Sequence, residues 1–345
     1  MSDTEQLTVA KLSELKDGDE AICYAALVRK QQGKTYKNEP FTKCYFRDKR
    51  VIVEAPIWAD HRFARQAPGW PDGEFYRLQV KATITPKYGL QLDIHDIRPA
   101  VPEDAADGFR VADLVESSEF DIDEMWRSLH DTIKRCVDDP HVRQLLEAIL
   151  DDHAEAFKRM QAATNFHHGY TGGLLEHVRS MARISAFVAD HYARYYWRLN
   201  PPLNRSVVVA AAILHDIGKL RELKYHPIEA KYTKEGSLIG HVQLGRDMVH
   251  EAALKIDGFP EETLLLLEHA ILSHHGKREF GAPILPQTIE ALIVSYVDDL
   301  DAKINVAARG LMAADGETEF TDKLYPLDNR RFYRGIPVEA PTDLA

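Results

Sequence analysis

The chain has 345 residues, of which 45% are hydrophobic and 28% are charged, and its net charge is −11 at pH 7. Its length allows two domains, because a single hydrophobic core rarely grows beyond about 250–300 residues. No apolar run reaches the roughly 18–20 residues of a membrane span. The three cysteines lack CxxC spacing, which argues against a cysteine-built zinc site and suits a reducing compartment. Together with a polar, acidic N-terminus, these features predict a cytoplasmic protein rather than a secreted or membrane protein.

The charge is distributed unevenly along the chain. Residues 1–100 carry +2, and the remainder carries −13. The first part contains two modest basic groups, which are Arg29, Lys30, Lys34 and Lys37, and then Lys43, Arg47, Lys49 and Arg50. The overall charge disfavours a nucleic-acid partner, whereas these groups favour one. Charge alone therefore leaves the partner open.

The first hundred residues have the pattern of a small β domain. Short runs of strand-forming residues, separated by turn signals, predict five strands over 21–28, 42–47, 51–58, 75–84 and 90–97. Residues 60–66, between the third and fourth strands, are expected to form a short helix. Five strands with a helical link after the third follow the plan of an OB-fold barrel, which binds oligonucleotides on a strand face. We assign residues 1–99 to this OB-fold-like domain.

Aromatic residues accompany the basic groups in this domain. A basic groove lined with aromatic rings is a sequence-tolerant way to hold a single strand, because every base can stack on a ring. The candidates for nucleic-acid binding are Arg29, Lys30, Tyr45 and Trp58, with Arg278 from the second domain. The alternative is that most of these rings fill the core of a small barrel.

After residue 99 the pattern becomes helical. Residues 100–120 are rich in Pro, Ala and acidic residues and are predicted to form a linker, 121–312 a helical domain, and 313–345 a loosely attached tail. Helices are expected over 121–137, 141–161, 174–192, 241–256, 262–273 and 286–308, with another ending at 215–216 and a polar loop over 219–240. In the third predicted helix, Leu174, Val178, Met181 and Phe187 form a core-facing stripe.

The apolar run 207–214 ends in His215 and Asp216, two strong metal-ligand types. We interpret Gly218 as the left-handed residue just past the end of this helix. An unpaired carboxylate beside so much apolar surface would cost several kcal/mol, and a bound cation removes that cost. For this dipeptide alone, a buried His–Asp hydrogen bond is an equal alternative.

Further candidate ligands occur at helix ends or on apolar faces. The full set is His177, His215, Asp216, His241, His274, His275 and Asp298. Seven ligands are too many for one tetrahedral zinc and suit two five- or six-coordinate ions bridged by Asp216. Imidazole with carboxylate favours Mn, with Fe, Co, Ni or Zn as alternatives.

The chain resembles the HD superfamily of metal-dependent phosphohydrolases through His177, the pair His215-Asp216 and Asp298, in that order. It is most similar to the branch of YhaM-type 3′→5′ exoribonucleases. The sequence motifs that carry this similarity lie at 170–177, 213–219, 232–241, 272–277 and 296–303. The resemblance implies an all-β OB-fold barrel followed by an all-α HD domain. It also implies that the protein binds two divalent metal ions, which activate a water molecule to hydrolyse the phosphodiester bonds of single-stranded RNA. Single-stranded DNA is a further candidate substrate.

Catalytic roles are expected for Asp216, Lys219 and Lys277. The two lysines, with Arg278, are candidates for neutralising charge on the phosphoryl oxygens. Lys219 has an equal alternative as a helix-end cation or as the partner of a ligand carboxylate. His269 is expected in the core or behind the ligands, and Asp299 and Asp301 are expected at the surface or behind Asp298.

Two other functions remain open from the sequence. One is a phosphohydrolase for small nucleotides, in which the barrel is a docking module. The other is a non-catalytic nucleic-acid-binding protein with a structural metal, although a closed structural site needs only about four ligands. Neither a membrane partner nor a particular oligomeric state is indicated.

Overall fold

The computed structural model describes residues 7–36, 38–86, 88–162, 169–228, 230–313 and 318–335. The chain divides into two compact units. One comprises residues 1–117 with 226–229, called the barrel unit here, and the other comprises 118–225 with 230–345, called the helical unit. Lys37 of the first basic group and residues 314–317 and 336–345 of the predicted tail lie outside the described residues.

The barrel unit contains the five predicted strands. They are β1 (Glu20–Lys34), β2 (Pro40–Arg47), β3 (Ile52–Ile57), β4 (Phe75–Thr85) and β5 (Gly89–Pro99). The strands close into a barrel in the order β1-β2-β3-β5-β4, in which β4 pairs back to β1 and β3 runs parallel to β5. This five-stranded closed barrel confirms the predicted OB-fold.

Alternation along the strands explains which side chains fill the barrel. In β2, Thr42, Cys44 and Phe46 are buried, while the residues between them are partly exposed. The predicted helix over 60–66 is wrong. This segment forms successive turns, each closed by a hydrogen bond from a backbone N–H to the carbonyl three residues earlier. A 3₁₀ helix follows at Ala67–Gly69. Pro68 has no backbone N–H, so it cannot extend helical hydrogen bonds from 60–66, and it lies in the first turn of the 3₁₀ helix instead.

The helices of the helical unit surround the buried helix α4. In chain order they are α1 (Ile122–Cys136), α2 (Pro140–Arg159), α3 (Gly173–Tyr195), α4 (Arg205–Leu214), α5 (Lys219–Glu222), α6 (Lys234–Ile239), α7 (His241–Ala253), α8 (Glu261–Ser273) and α9 (Ile289–Ala313). Every residue of α4 after Arg205 is buried, which agrees with its apolar sequence. No described helix is both long and apolar enough to cross a bilayer.

Three local predictions in this unit are wrong. The segment 219–240 is not a plain loop, because it contains α5, α6 and a two-stranded ribbon of β6 (Leu223–Lys224) and β7 (Lys231–Tyr232). Phe187 is not in the core, since 74% of the residue is exposed. The third concerns Gly218.

Gly218 adopts φ −62°, so it is not in the left-handed region. A Cβ atom at this position would lie 2.0 Å from the carbonyl oxygen of His241 and 2.5 Å from the backbone nitrogen of Gly245. The glycine is required because the first turn of α7 packs directly against its backbone. This close approach brings the start of α7 to the end of α4, where the candidate ligands lie.

Candidate metal centre

Five helical elements of the helical unit bring the seven predicted ligands into one cluster. They come from α3, from the residues just after α4, from the first residue of α7, from the residues just after α8, and from the middle of α9. The predicted ligands are His177, His215, Asp216, His241, His274, His275 and Asp298. They form two groups on either side of the Asp216 carboxylate.

The first half of the centre consists of His177, His215 and Asp298 with one oxygen of Asp216. The Nε2 atoms of His177 and His215 are 3.2 Å apart, and the Oδ1 atom of Asp298 lies 3.3 Å from Nε2 of His177. The Oδ2 atom of Asp216 lies 3.4 Å from Nε2 of His215. The two histidines are fully buried, and the side chain of Asp298 is 17% exposed.

The second half consists of His241, His274 and His275 with the other oxygen of Asp216. The Nε2 atoms of His241 and His275 are 3.3 Å apart. The Oδ1 atom of Asp216 lies 3.5 Å from Nε2 of His241 and 3.9 Å from Nε2 of His274. Asp216 therefore presents one carboxylate oxygen to each half.

Backbone hydrogen bonds orient two of the rings. Nδ1 of His215 donates to the carbonyl of Ala212 at 2.9 Å, and Nδ1 of His274 donates to the carbonyl of Ile271 at 2.7 Å. With the proton on Nδ1, the lone pair of each Nε2 atom faces the cluster. Nε2 of His274 is buried and has no hydrogen-bond partner among the described residues. Converging lone pairs and carboxylates repel one another unless a cation lies between them, so this donor set fits divalent metal ions.

Buried carboxylates lie behind one histidine of each half. Oδ2 of Asp301 is 2.8 Å from Nδ1 of His177. Oε1 of Glu222 accepts from Nδ1 of His241 at 3.0 Å and from its backbone N–H at 2.9 Å. Such carboxylates fix the ring and increase its basicity as a ligand. The position of Asp301 behind the ligands agrees with its expected role, whereas the sequence analysis did not identify Glu222, because no spacing links it to His241.

In the first half, the aspartates around His177 determine its pKa. Burial lowers the pKa of His177, but hydrogen bonds to Asp298 and Asp301 outweigh burial and raise that pKa to about 9. Burial raises the pKa of Asp216, but the charge of Lys219 and then of His215 outweighs it and lowers that pKa well below its usual range. A metal ion would take the place of the proton on His177.

In the second half, no carboxylate outweighs the effect of burial on the pKa values of His274 and His275. Burial lowers the pKa of His274 and of His275, and the neighbouring imidazoles His215 and His241 lower these values further. Both rings are therefore neutral near pH 7, which is the form that binds metal.

The three predicted cations have different environments. Lys219 is buried, and its Nζ atom lies 2.6 Å from Oδ2 of Asp216, which corresponds to the alternative of a carboxylate partner. Lys277 and Arg278 are exposed in the segment after α8, where Lys277 lies 3.5 Å from Glu279. Their contact with a phosphate stays a prediction.

His269 and Asp299 lie near the predicted ligands in sequence but outside the cluster. Nε2 of His269 accepts from the backbone of Gln287 at 2.9 Å and does not enter the cluster. Asp299 is exposed and pairs with Lys303 at 2.6 Å. Of the three neighbouring aspartates of α9, only Asp298 reaches the cluster directly.

The predicted nucleic-acid-binding residues of the barrel unit are partly on its outer face. The guanidinium of Arg29 lies 4.4 Å above the ring of Tyr45, its cross-strand partner. Trp58 is 46% exposed and packs against Phe41 at 5.1 Å. In contrast, Lys30 is bonded to Asp72 at 2.7 Å and to the carbonyl of Trp70, so its ammonium is already engaged within the barrel. A role for these residues in binding stays a prediction.

Two further residues of this face, Phe41 and Lys43, were not predicted from the sequence. Phe41 and Lys43 alternate with buried residues of β2, so they project from the same side as Tyr45. Lys43 pairs with Glu54 at 3.0 Å and lies 6.0 Å from the ring of Tyr88. Side chains of a strand alternate between its two faces, and this alternation was the sequence signal that could have identified both residues.

Comparison with known proteins agrees with both units. The family described as "HD domain" matches residues 174–303, which include all seven ligands. The chain is similar to "3'-5' exoribonuclease YhaM" of Geobacillus sp. (strain WCH70), with 32% identity over 92% of this chain and 93% of the relative. The protein of the same name from Shouchella clausii (strain KSM-K16) is 37% identical over 89% of this chain and 91% of the relative.

Among solved structures, the second OB-fold domain of replication protein A from Methanococcus maripaludis is 14% identical. It covers 27% of this chain and 94% of that chain, with a TM-score of 0.22. A similarity this low carries no argument, so the OB-fold assignment rests on the strand order of the barrel alone. The similarity to the curated relatives extends over nearly the whole chain, and the HD motif residues meet in one cluster. The chain therefore belongs to the YhaM family of 3′-5′ exoribonucleases.

Proposed function

We propose that this chain is a metal-dependent 3′→5′ exoribonuclease that hydrolyses phosphodiester bonds of single-stranded RNA. The observation that carries the proposal is the Asp216 carboxylate, whose two oxygens face two separate sets of histidines. Membership in the YhaM exoribonuclease family supports the direction of digestion and the RNA substrate.

The proposed cofactor is a pair of divalent ions bridged by Asp216. His177, His215 and Asp298 would hold one ion, and His241, His274 and His275 the other. Mn²⁺ is the favoured metal because imidazole combined with carboxylate suits it, with Fe, Co, Ni or Zn as alternatives. When bound, such a pair supplies Lewis acidity and a water molecule of lowered pKa.

The protein's own groups would prepare the centre for this chemistry. Asp301 and Glu222 hold the rings of His177 and His241, and Lys219 holds the Asp216 carboxylate in its ionised form. Lys277 and Arg278 are proposed to neutralise charge on the phosphate. Lys219 would then act through Asp216 rather than by touching the substrate.

The barrel unit is proposed to hold the single strand through its outer face. The guanidinium of Arg29 over Tyr45 and the exposed ring of Trp58 support stacking with bases. In functional terms we divide the chain into a strand-binding part over 1–99, a linker over 100–120, the hydrolytic part over 121–312 and a tail over 313–345. A cytoplasmic location and single-stranded DNA as a further substrate belong to the same proposal.

The test is digestion of an RNA by the purified protein with Mn²⁺. A 5′-labelled RNA should shorten progressively, and mononucleotides should be released from the 3′ end. The same RNA closed into a circle should not be cut, because it offers no 3′ end. Inert RNA together with rapid hydrolysis of free nucleotides would instead favour a small-nucleotide phosphohydrolase.

A second measurement separates catalysis from binding. Asp216→Ala should abolish digestion while leaving RNA affinity within a few-fold of the wild type. A variant that retains activity would contradict the proposed centre. An inactive wild type that binds RNA normally would favour a non-catalytic nucleic-acid-binding protein.

A further inference from the structure

The exposed side of α3 carries arginines and aromatic residues one helical turn apart. Arg183, Phe187, His191 and Tyr195 follow one another at intervals of four residues, and Arg194 lies beside Tyr195. At about 100° per residue they occupy one side of the helix. These residues, together with Arg198 just after the helix, are called the α3 stripe.

The aromatic members of the stripe are unusually exposed for their size. Phe187 is 74% exposed and Tyr195 is 68% exposed. The rings of His191 and Tyr195 are stacked, with centroids 6.0 Å apart and an interplanar angle of 15°. Next to them Trp197 is 71% exposed, with the guanidinium of Arg198 lying 4.8 Å above its ring. Contiguous exposed rings of this kind mark an interaction surface.

The stripe is also positively charged without compensation. Among the described residues, no carboxylate pairs with the guanidinium of Arg183, Arg194 or Arg198. The nearest acidic residue in sequence, Asp190, is bound to Arg205 at 2.9 Å. This local positive charge occurs in the part of the chain that carries the large negative net charge. The stripe therefore attracts a polyanion, and its flat rings suit one that also has aromatic bases.

The stripe lies on the same rigid helix as a ligand of the metal centre. His177 and Tyr195 are separated by five turns of α3, which is about 27 Å at 1.5 Å per residue. A stacked single strand rises about 3.4 Å per nucleotide, so this distance corresponds to roughly eight nucleotides. A strand with its 3′ end at the metal centre is long enough to reach the stripe once it exceeds about that length.

We infer that the α3 stripe binds the single-stranded RNA substrate upstream of its 3′ end, by stacking on bases and pairing with phosphates. The inference rests on the proposed function for the identity of the strand. It adds a substrate-binding surface in the helical unit to the one proposed for the barrel unit. It also makes the enzyme sensitive to RNA length, since short products lose these contacts.

Two combined variants of the full-length protein test the inference. Phe187→Ala with Tyr195→Ala removes two rings, and Arg183→Gln with Arg194→Gln and Arg198→Gln removes three charges. The control is Leu254→Ala with Tyr325→Ala, which removes side chains that are 71% and 75% exposed elsewhere in the helical unit. Affinity is measured in Mn²⁺ with a nuclease-resistant phosphorothioate RNA of roughly twenty nucleotides, well beyond the reach calculated above.

The ring variant should bind this RNA at least about ten-fold more weakly than the wild type, whereas the control should not. The charge variant should reduce the slope of log K against log salt concentration by about 2, since each phosphate contact on a single strand contributes about 0.7. Both variants should hydrolyse a tetranucleotide at the wild-type rate and the long RNA more slowly.

Unchanged affinity in both variants would overturn the inference. An equal loss of activity on the tetranucleotide and the long RNA would also overturn it, because the metal centre would then be the part disturbed. A changed oligomeric state with unchanged RNA affinity would show that a second copy of the chain covers the stripe. Failure of the wild type to digest RNA from the 3′ end is a separate result, which contradicts the proposed function and leaves the affinity comparison intact.

Discussion

The two halves of the metal centre use the same residue types in different proportions. The first half combines His177 and His215 with Asp298 and one oxygen of Asp216, and both histidines are fully buried. The second half combines three histidines with the other oxygen of Asp216, and its His241 side chain is 16% exposed. One half therefore has two carboxylates, whereas the other has only a shared one.

For the proposed pair of ions, this difference in carboxylates predicts two unequal metal affinities. Negative ligands in a buried site bind a cation more tightly than neutral imidazoles do, because few water molecules screen the attraction. The first half is therefore expected to hold its ion tightly. The second half is expected to hold its ion more weakly and to exchange it more readily.

The largest effect is expected for Asp216→Ala, because this residue serves both halves. RNA hydrolysis should fall by at least about a thousand-fold, since the proposed pair of ions would supply both the nucleophile and charge stabilisation. Initial rates with 3′-labelled RNA measure the loss. Asp299→Ala, at an exposed residue that pairs with Lys303, is the matched control and should retain near wild-type rates. Substantial activity in Asp216→Ala would remove the basis for a shared carboxylate.

Replacing one ligand in each half should separate the two sites. Asp298→Ala is expected to weaken the tight site by more than about 100-fold, because it leaves one carboxylate for that ion. His275→Ala should weaken only the weaker site. Calorimetric titration of the metal-free variants with Mn²⁺ resolves the two affinities. If both variants lose the same binding event, the two halves form a single site.

The carboxylates behind the ligands should have intermediate effects. Asp301→Ala should reduce metal affinity of the first half by about 10–100-fold, and Glu222→Ala should do the same in the second half. Glu222→Gln keeps an oxygen that accepts from Nδ1 of His241, so it should restore much of the affinity. Equal affinities in Glu222→Ala and Glu222→Gln would show that orientation of His241 by hydrogen bonding does not matter.

A final effect, which needs no substitution, is a difference in pH dependence between the halves. In the metal-free protein the pKa of His177 is about 9, so this residue is protonated at pH 7 and must lose a proton to the buffer when a metal binds. The affinity of the first half should rise about ten-fold per pH unit between pH 7 and 9 and then level off. His274 and His275 have lowered pKa values, so they are already neutral and should give no rise. Titrations in buffers of different ionisation enthalpy measure the released proton, and a similar rise in both halves would contradict the assignment.

The sequence predicted which residues cluster, because they occur where apolar helices end or where acidic residues interrupt apolar faces. A carboxylate such as Asp216 next to a fully apolar run requires compensation, and that requirement is visible without coordinates. The five strands could also be predicted from the sequence, since the alternation of apolar and polar residues and the turn residues between strands are local signals.

The errors concern long-range packing. Gly218 is required by the approach of α7, which begins 23 residues later, so its local context suggested the wrong reason for a glycine. Glu222 bonds to His241 across a segment that no periodicity connects. Phe187 is apolar and was assigned to the core, because a sequence does not reveal that the structure leaves a large ring uncovered. The resulting exposed surface is the one proposed to bind RNA.

The account depends most on Asp216 lying between two ions, and an anomalous difference map from crystals containing Mn²⁺ tests this directly. Two peaks are expected, one beside each carboxylate oxygen of Asp216, with His177 and His215 next to the first and His241 and His275 next to the second. A single peak, or two peaks of which only one contacts Asp216, would contradict the account.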